Sequence, residues 1–259
     1  MYFPEVPVHR PCDLDLPKTQ PYTCYFPTVL QAAVTQLSPF LILQLLRYVP
    51  LPLFTVPSSQ HISLISPNSF DALSTSNADQ QKLIIDTHNT LRRGVKPTAS
   101  NMLKMLWCPP AAKNAQNWAN QCTLKHSPAT LRRTTVQCGE NLFMSSAPYS
   151  WSDVIQAWHS EEKNFEYGTG AKTQDAVIGH YTQMVWYNSY QTGCAVAFCP
   201  NSTFKYFYVC QYCPAGNLRS SINTPYKAGK PCGDCPDACE NGLCNVYSNC
   251  FGKVSRMYP

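Results

Sequence analysis

Fourteen cysteines in a chain of 259 residues are the feature that most limits how this protein can fold. A reducing cytosol leaves so many thiols without a role, whereas an oxidising compartment pairs them as disulfide bonds. Zinc binding is the alternative, because Cys232, Cys235 and Cys239 lie close together in "PCGDCPDACENGLC". No histidine follows at a matching spacing, and Pro and Gly between the thiols favour a cross-linked loop. The sequence therefore predicts a secreted, disulfide-bonded protein.

Length and charge further limit the architecture and the possible partners of this protein. A chain of this length can form one sizeable core and a smaller appended module. Hydrophobic residues make up 44% of the sequence, and the net charge is +5. Lys and Arg are spread along the chain instead of forming a stripe, so binding to nucleic acid is not predicted.

The first part of the chain lacks the pattern of a folded domain. Its start, "MYFPEVPVHRPCD", has no basic region followed by an apolar run. The apolar segment "FLILQLLRYVPLPLF", residues 40–54, is interrupted by Gln44, Arg47 and two prolines, and it is too short to span a bilayer. We predict that residues 1–70 form an atypical leader, largely unstructured, and that the chain has no transmembrane span.

Two segments have the periodicity of helices. "DQQKLIIDTHNTLRRGV" predicts a helix that begins near Asp79 and ends at Gly94. A second helix is predicted after Pro109 and Pro110. The inward faces of these two helices are predicted to be Ile84, His88 and Leu91 in the first, and Ala111, Ala115, Trp118, Ala119 and Cys122 in the second.

A third helix is predicted in "SWSDVIQAWHSEEKNF", residues 150–165, and it raises a question about Glu161. The carboxylate lies on the same stripe as the apolar residues, three positions after Trp158 and four before Phe165. Burial of a carboxylate is costly unless another group pairs with it. We therefore expect Glu161 to have a partner. The remaining apolar residues of that stripe are Trp151, Val154 and Ile155.

Two strands are predicted after the helices. "GCAVAFC" (193–199) alternates small and large side chains, and "FKYFYVCQYC" (204–213) is rich in β-branched and aromatic residues. Strands that follow helices without regular βαβ alternation predict an α+β fold with a mainly antiparallel sheet. From about residue 214 the chain is rich in loops and cysteines, and we expect this part to depend on its disulfides.

Four motifs resemble those of a known family. "GHYTQMVWYNS" (179–189) and "YVCQYCPAGNL" (208–218) are similar to the two signature motifs of the CAP superfamily. "CGEN" (138–141) and the cysteines of 232–244 resemble the cysteine-rich secretory proteins. The resemblance covers roughly residues 70–250. It implies a three-layer α-β-α sandwich, the CAP domain, over 78–217, with a small disulfide-stapled C-terminal hinge module over 225–259.

The resemblance also implies a cleft that gathers two histidines and two glutamates. In this sequence they are His126 in "LKHS", Glu140 in "CGEN", Glu161 in "WHSE" and His180 in "GHYTQ". Such a cleft can hold a divalent metal weakly, and zinc is the one cofactor considered. The alternatives are a hydrogen-bonded cluster that ties helix to sheet, or a catalytic site. His88 is expected to pack within the first helix and not to join this cleft.

The disulfide pairing is likewise implied by the resemblance, since six cysteines alone permit fifteen connectivities. One bridge, Cys194–Cys210, is also expected because it would join the two predicted strands. Cys12, Cys24, Cys108 and Cys250 have no assigned partner, and Cys108 could be a free thiol. Asn201 lies in an Asn-Ser-Thr sequon and is a predicted glycosylation site. The implied pairs are Cys122–Cys199, Cys138–Cys213, Cys194–Cys210, Cys232–Cys239 and Cys235–Cys244.

The family resemblance implies a secreted, extracellular, non-enzymatic binding protein. Its expected partner is an extracellular protein or a membrane surface, in reproduction (sperm–egg interaction at fertilization) or innate defence. The alternatives are a sterol- or lipid-binding protein and a metal-dependent hydrolase. Only Cys250 follows the hinge, so the C-terminal module is predicted to be truncated, and regulation of ion channels is not expected.

Catalysis is disfavoured by the motifs that the sequence lacks. Neither a "GxSxG" elbow nor an "HExxH" zinc motif occurs. Ser127 adjoins His126, but neighbouring side chains in a strand would point to opposite faces, so we expect Ser127 to lie apart from the histidine. The sequence therefore favours binding over turnover.

Overall fold

The computed structural model describes residues 70–246, which lie within the unit Leu64–Pro259. The predicted leader, except for Phe70, lies outside the described residues. So do Cys12, Cys24 and Cys250.

Four helices and a four-stranded sheet form the body of the protein. The helices are α1 (Ala78–Arg93), α2 (Pro109–Ala119), α3 (Trp151–His159) and α4 (Gly179–Met184). The sheet has the order β1-β5-β6-β2, where β1 pairs with β5 in parallel and the other neighbours are antiparallel. Its strands are β1 (Leu106–Trp107), β2 (Gly139–Ser145), β5 (Gln191–Phe198) and β6 (Tyr206–Cys213).

Two short two-stranded ladders lie outside this sheet. One pairs β3 (Phe165–Glu166) with β4 (Gly170–Ala171), and the other pairs β7 (Cys239–Glu240) with β8 (Leu243–Cys244). The second ladder belongs to the hinge module.

The sheet lies between two helical layers because its side chains alternate. Cys194 and Val196 of β5 pack in the core formed with α1, α3 and α4, whereas Ala195 and Ala197 pack in the core formed with α2. Helix α2 approaches β5 closely at Gly193, where an added Cβ would lie 2.0 Å from the backbone nitrogen of Ala112. The predicted α-β-α sandwich is therefore the observed architecture.

The first two helices agree with the sequence. The side chain of Asn77 accepts a hydrogen bond from the backbone N–H of Asp79 and so caps α1, which ends before Gly94. Ile84 and His88 are buried, as are the predicted apolar residues of α2. Cys122 was expected on the α2 stripe, but α2 ends at Ala119, three residues earlier.

The third helix is shorter than its periodicity suggested. It ends at His159, and a 3₁₀ turn (Ser160–Asn164) follows before the chain enters β3. Glu161 and Phe165 therefore do not belong to the α-helical stripe on which they were placed. The predicted strands 193–199 and 204–213 appear as β5 and β6, each shifted by one or two residues.

Five disulfide bonds join described residues, and they are the same pairs that the family resemblance implies. Cys194–Cys210 connects directly opposed residues of β5 and β6. Cys108 is also disulfide-bonded, so the free thiol considered for it does not occur. Besides Cys194–Cys210, the bonds between described residues are Cys122–Cys199, Cys138–Cys213, Cys232–Cys239 and Cys235–Cys244.

The hinge module packs against the body of the protein. The backbone N–H of Cys244 donates to the carbonyl of Met102, and the N–H of Lys104 donates to the carbonyl of Cys244, both at 2.8 Å. Leu243 is buried in the larger core. The hinge module thus has backbone contacts and apolar packing in addition to its two disulfides, while the domain boundaries remain a prediction.

Arg92 joins α1 to the rest of the fold through backbone carbonyls. Its guanidinium is fully buried and donates to the carbonyls of Leu103, Met184, Trp186 and Tyr187 at 2.7–3.1 Å. Burial lowers the pKa of Arg92 to about 9, so the side chain keeps its charge at neutral pH. Carbonyl oxygens from two segments distant in sequence thus converge on one cation.

His88 is buried at the centre of α1, as predicted. Its Nδ1 donates to the carbonyl of Ile84 at 2.8 Å, and its Nε2 accepts from the hydroxyl of Tyr212 at 2.9 Å. Burial lowers the pKa of His88 to about 4, with the nearby charge of Arg92 acting in the same direction. The imidazole is therefore neutral in the folded protein at neutral pH.

This burial predicts a pH dependence of stability. Between pH 6.5 and about pH 4 the unfolded chain binds a proton at His88 and the folded protein does not, so the free energy of unfolding falls as the pH falls. The difference in pKa corresponds to about 3 kcal/mol over that window. A His88→Gln variant, measured by denaturant unfolding with disulfides intact, should lose this slope. Parallel wild-type and variant profiles would contradict the assignment.

Candidate functional site

The predicted histidines and glutamates form two pairs, His126 with Glu140 and His180 with Glu161. Each pair joins Nδ1 of the imidazole to a carboxylate oxygen. Different elements position the two pairs.

Glu140 is the centre of the first pair. It lies on β2, and its side chain is 0% exposed. Its Oε1 lies 2.9 Å from His126 Nδ1 and accepts from the Ser127 N–H at 2.9 Å, with Nη1 of Arg132 at 3.4 Å. Its Oε2 accepts from the Ser127 hydroxyl at 2.7 Å and from Nε2 of Gln211 at 3.3 Å. The carboxylate therefore organises the loop after α2.

These contacts keep Glu140 ionised despite its burial. Burial by itself would raise the pKa of Glu140, but hydrogen bonds from His126 and Ser127 and the charge of Arg132 outweigh it and hold the pKa below its usual value. The contribution of these contacts to stability is present above the unfolded-state pKa of a glutamate and is lost as the pH falls through the lower folded value.

Glu161 is the centre of the second pair. The 3₁₀ turn after α3 presents it to the first turn of α4. Its Oε1 lies 2.6 Å from His180 Nδ1, and its Oε2 accepts from the N–H groups of His180 and Tyr181 at 2.8 and 3.2 Å. The indole of Trp158 stacks on the His180 ring, with centroids 6.4 Å apart and planes at 12°. The expected partner of Glu161 is thus His180, although a 3₁₀ turn and not an α-helix positions the carboxylate.

Strand β2 connects the two pairs. Glu140 pairs in register with Gln211 and faces the α2 layer. The next residue, Asn141, faces the opposite side of the sheet and donates its side-chain amide to the carbonyl of His180 at 3.1 Å. Because β2 is an edge strand, the two pairs approach the same edge of the sheet from its two sides.

The donor atoms fit at most a weakly bound metal. With Nδ1 held by a carboxylate, a metal would bind each imidazole through Nε2 while the carboxylate orients the ring. Within residues 70–246, no group of three or more His, Cys, Asp or Glu side chains gathers so as to hold a metal. An ion at either pair would therefore take most of its ligands from solvent or a partner. His126 is half-exposed, at 52% of its side chain, and His180 is mostly buried.

The expected separation of Ser127 from His126 is wrong. These two residues lie in an irregular segment and not in a strand, so their side chains need not point to opposite faces. Both contact the same carboxylate, that of Glu140. The hydroxyl of Ser127 is committed to Glu140 and so is not presented to an imidazole.

Sequence reasoning missed several residues of the site. Gln211, Arg132 and Asn141 reach the pairs only through the register of β2 with β6 and the path of the loop. Strand β2 was itself not predicted, because "GENLFMS" has no regular alternation. Nor was α4, whose six residues are too few for helical periodicity to be visible.

Comparison with known proteins identifies the family of this chain. A family profile described as "Cysteine-rich secretory protein family", CAP, matches residues 85–212. Cysteine-rich secretory protein 3 of Equus caballus is 60% identical over 177 residues, which cover 68% of this chain and 72% of the relative.

Solved structures share the fold. BmVAL-1 is similar with a TM-score of 0.54 and 29% identity, covering 65% of this chain and 95% of that chain. NaASP2, crystallised with Zn²⁺, is similar with a TM-score of 0.53 and 32% identity, covering 65% and 96%. Na-ASP-1 has a TM-score of 0.54 and 32% identity, and this chain spans only 46% of its length.

Loss of either carboxylate should affect hydrogen exchange only at the amides that bond to it. Glu140→Gln should speed exchange of the Ser127 amide at least about tenfold, because a hydrogen bond to a charged acceptor contributes about 1.5–3 kcal/mol. Glu161→Gln should do the same for the His180 and Tyr181 amides. Each variant serves as the control for the other. If either variant accelerated both sets of amides equally, the two carboxylates would not act locally as described.

Proposed function

The chain belongs to the cysteine-rich secretory protein family, and on that basis we propose that it is a secreted extracellular protein that acts by binding and not by catalysis. The disulfide bonds of the sandwich and hinge suit an oxidising compartment. Within residues 70–246, no helix is long and apolar enough to cross a membrane. The disulfide bonds support an extracellular location.

The arrangement of Ser127 is the observation that carries the non-enzymatic proposal. A serine hydrolase needs its hydroxyl held against an imidazole that accepts the proton. Here the Ser127 hydroxyl donates to Glu140, and the same carboxylate holds His126. The glutamate thus occupies the position that a histidine base would need to hold. The site is built to fix side chains in place.

A test for turnover checks this proposal. The secreted protein is incubated with peptide and ester libraries, with and without zinc, beside a His180→Ala variant. We expect no product that depends on His180, because the hydroxyl of Ser127 is committed to Glu140. A product that requires zinc and disappears in His180→Ala would overturn the proposal in favour of a metal-dependent hydrolase.

We further propose that His126 and His180 bind a divalent metal weakly, with zinc as the best-suited ion. Glu140 and Glu161 hold the two rings by Nδ1, an arrangement that suits metal binding through Nε2. NaASP2, a relative at 32% identity, has been crystallised with Zn²⁺. A bound ion would supply a positive charge and open ligand positions at the edge of the sheet, where a partner could reach them.

Calorimetric titration with zinc tests the metal site. The His126→Ala and His180→Ala variants should each weaken binding at least about tenfold, because loss of one of two protein ligands removes most of the affinity. His159→Ala is the matched control, since His159 belongs to neither pair and lies near Glu162. Equal affinity in all three variants would place any bound zinc elsewhere.

The biological role is proposed only at the level of the partner class. The family supports an extracellular protein or membrane surface as partner, in reproduction or innate defence.

Asn201 is exposed in the turn between β5 and β6, a position that suits the predicted glycan.

A further inference from the structure

The two helical layers of the sandwich differ in charge. Helices α1 and α3 carry exposed carboxylates, among them Asp79, Asp86 and Asp153. In contrast, residues 109–138, which form α2 and the loop after it, contain no Asp or Glu. Neither do residues 176–233, which include β5 and β6. The α2 side therefore has few groups that could offset positive charge.

Folding gathers four cations on the α2 side. They come from α2 and from two parts of the loop after it, and contacts of α2 bring these segments together. The side-chain amide of Asn114, next to Lys113, donates to the carbonyl of Arg133 at 2.8 Å. The indole of Trp118 donates to the carbonyl of Lys125 at 2.7 Å. We define the basic surface as Lys113, Lys125, Arg132 and Arg133.

The nearest carboxylate pairs with only one of these four cations. Glu140 forms an ion pair with Arg132, and its side chain is 0% exposed and also accepts hydrogen bonds from Ser127. Lys113, Lys125 and Arg133 are exposed, and Arg132 is exposed over 23% of its side chain. No salt bridge within residues 70–246 involves Lys113, Lys125 or Arg133. The basic surface is thus available to a negatively charged partner.

We propose that the basic surface binds a sulfated polysaccharide of the cell surface or extracellular matrix. The loop contacts α2 at Asn114 and at Trp118, which lie about 6 Å apart along the helix. The cations are therefore spread along α2 and over the adjoining loop. Such a spread matches a linear polyanion with repeated charges better than a single phosphate. Sulfate oxygens accept hydrogen bonds from Arg and Lys in the same way as phosphate oxygens.

The choice of a sulfated polysaccharide over a nucleic acid rests on the proposed extracellular location. An anionic membrane is the competing partner, because Leu131 and Val136 are exposed on the same loop, at 49% and 37%. Two isolated aliphatic side chains form a small apolar area for insertion, which favours the polysaccharide. The experiment includes both partners.

Binding to heparin, as a sulfated probe, tests the proposal with two charge-matched triple variants. One combines Lys113→Gln, Lys125→Gln and Arg133→Gln on the basic surface. The other combines Lys82→Gln, Lys163→Gln and Lys172→Gln, exposed lysines outside it. Both lower the net charge by three, and neither alters the two histidine pairs. Affinity is measured over a range of salt concentrations for the full-length protein.

The basic-surface variant should bind heparin at least about tenfold more weakly, and its slope of log affinity against log salt should fall by about two to three. The control variant should bind like wild type, and desulfated heparin should bind neither. Equal losses in both variants, no binding by wild type, or equal binding of desulfated heparin would overturn the proposal. Stronger binding to phosphatidylserine vesicles would overturn it in favour of a membrane. Zinc is also titrated into both triple variants. Zinc affinity equal to that of wild type would show that a loss of heparin binding is independent of the proposed metal site.

Discussion

The pairing of the edge strand β2 with β6 is the constraint on which the candidate site depends. Its register sets Glu140 opposite Gln211, and pleating turns Glu140 and Asn141 to opposite sides of the sheet. Glu140 can therefore hold the loop after α2, while Asn141 contacts the backbone at His180. A slip of one residue would exchange these sides and separate both contacts. The disulfide Cys138–Cys213 lies at the end of this pairing and opposes such a slip.

Buried polar groups join the helical layers to the sheet in addition to the apolar contacts. Arg92 converges on carbonyls from the segments before β1 and after α4, and His88 joins α1 to β6 through Tyr212. Glu140 and Glu161 play the same part at the edge of the sheet. Each group is satisfied by several partners, which is what makes its burial tolerable. The result is a site with fixed side chains, suited to recognition.

Local patterns predicted the long elements and failed at the short ones. Helix α1 was visible from its capping residues and periodicity, and the β5–β6 pair from its composition. The end of α3 was placed too late, because the apolar spacing of Trp158 and Phe165 continues through a 3₁₀ turn. The partner of Glu161 was expected on the cost of burying a carboxylate, and that reasoning held although the element was wrong. Ser127 was misplaced because a strand was assumed where the chain is irregular.

The sequence by itself determined the disulfide-bonded class, the family resemblance and the residue types of both pairs, since these depend on composition and local order along the chain. Only the tertiary structure decided which sides of β2 the pairs occupy and that Gln211 and Arg132 join Glu140. It also decided that Lys113, Lys125 and Arg133 share one surface, although the cations are spread along the sequence. Strand register and loop path set these distances, and neither can be read from the order of residues along the chain.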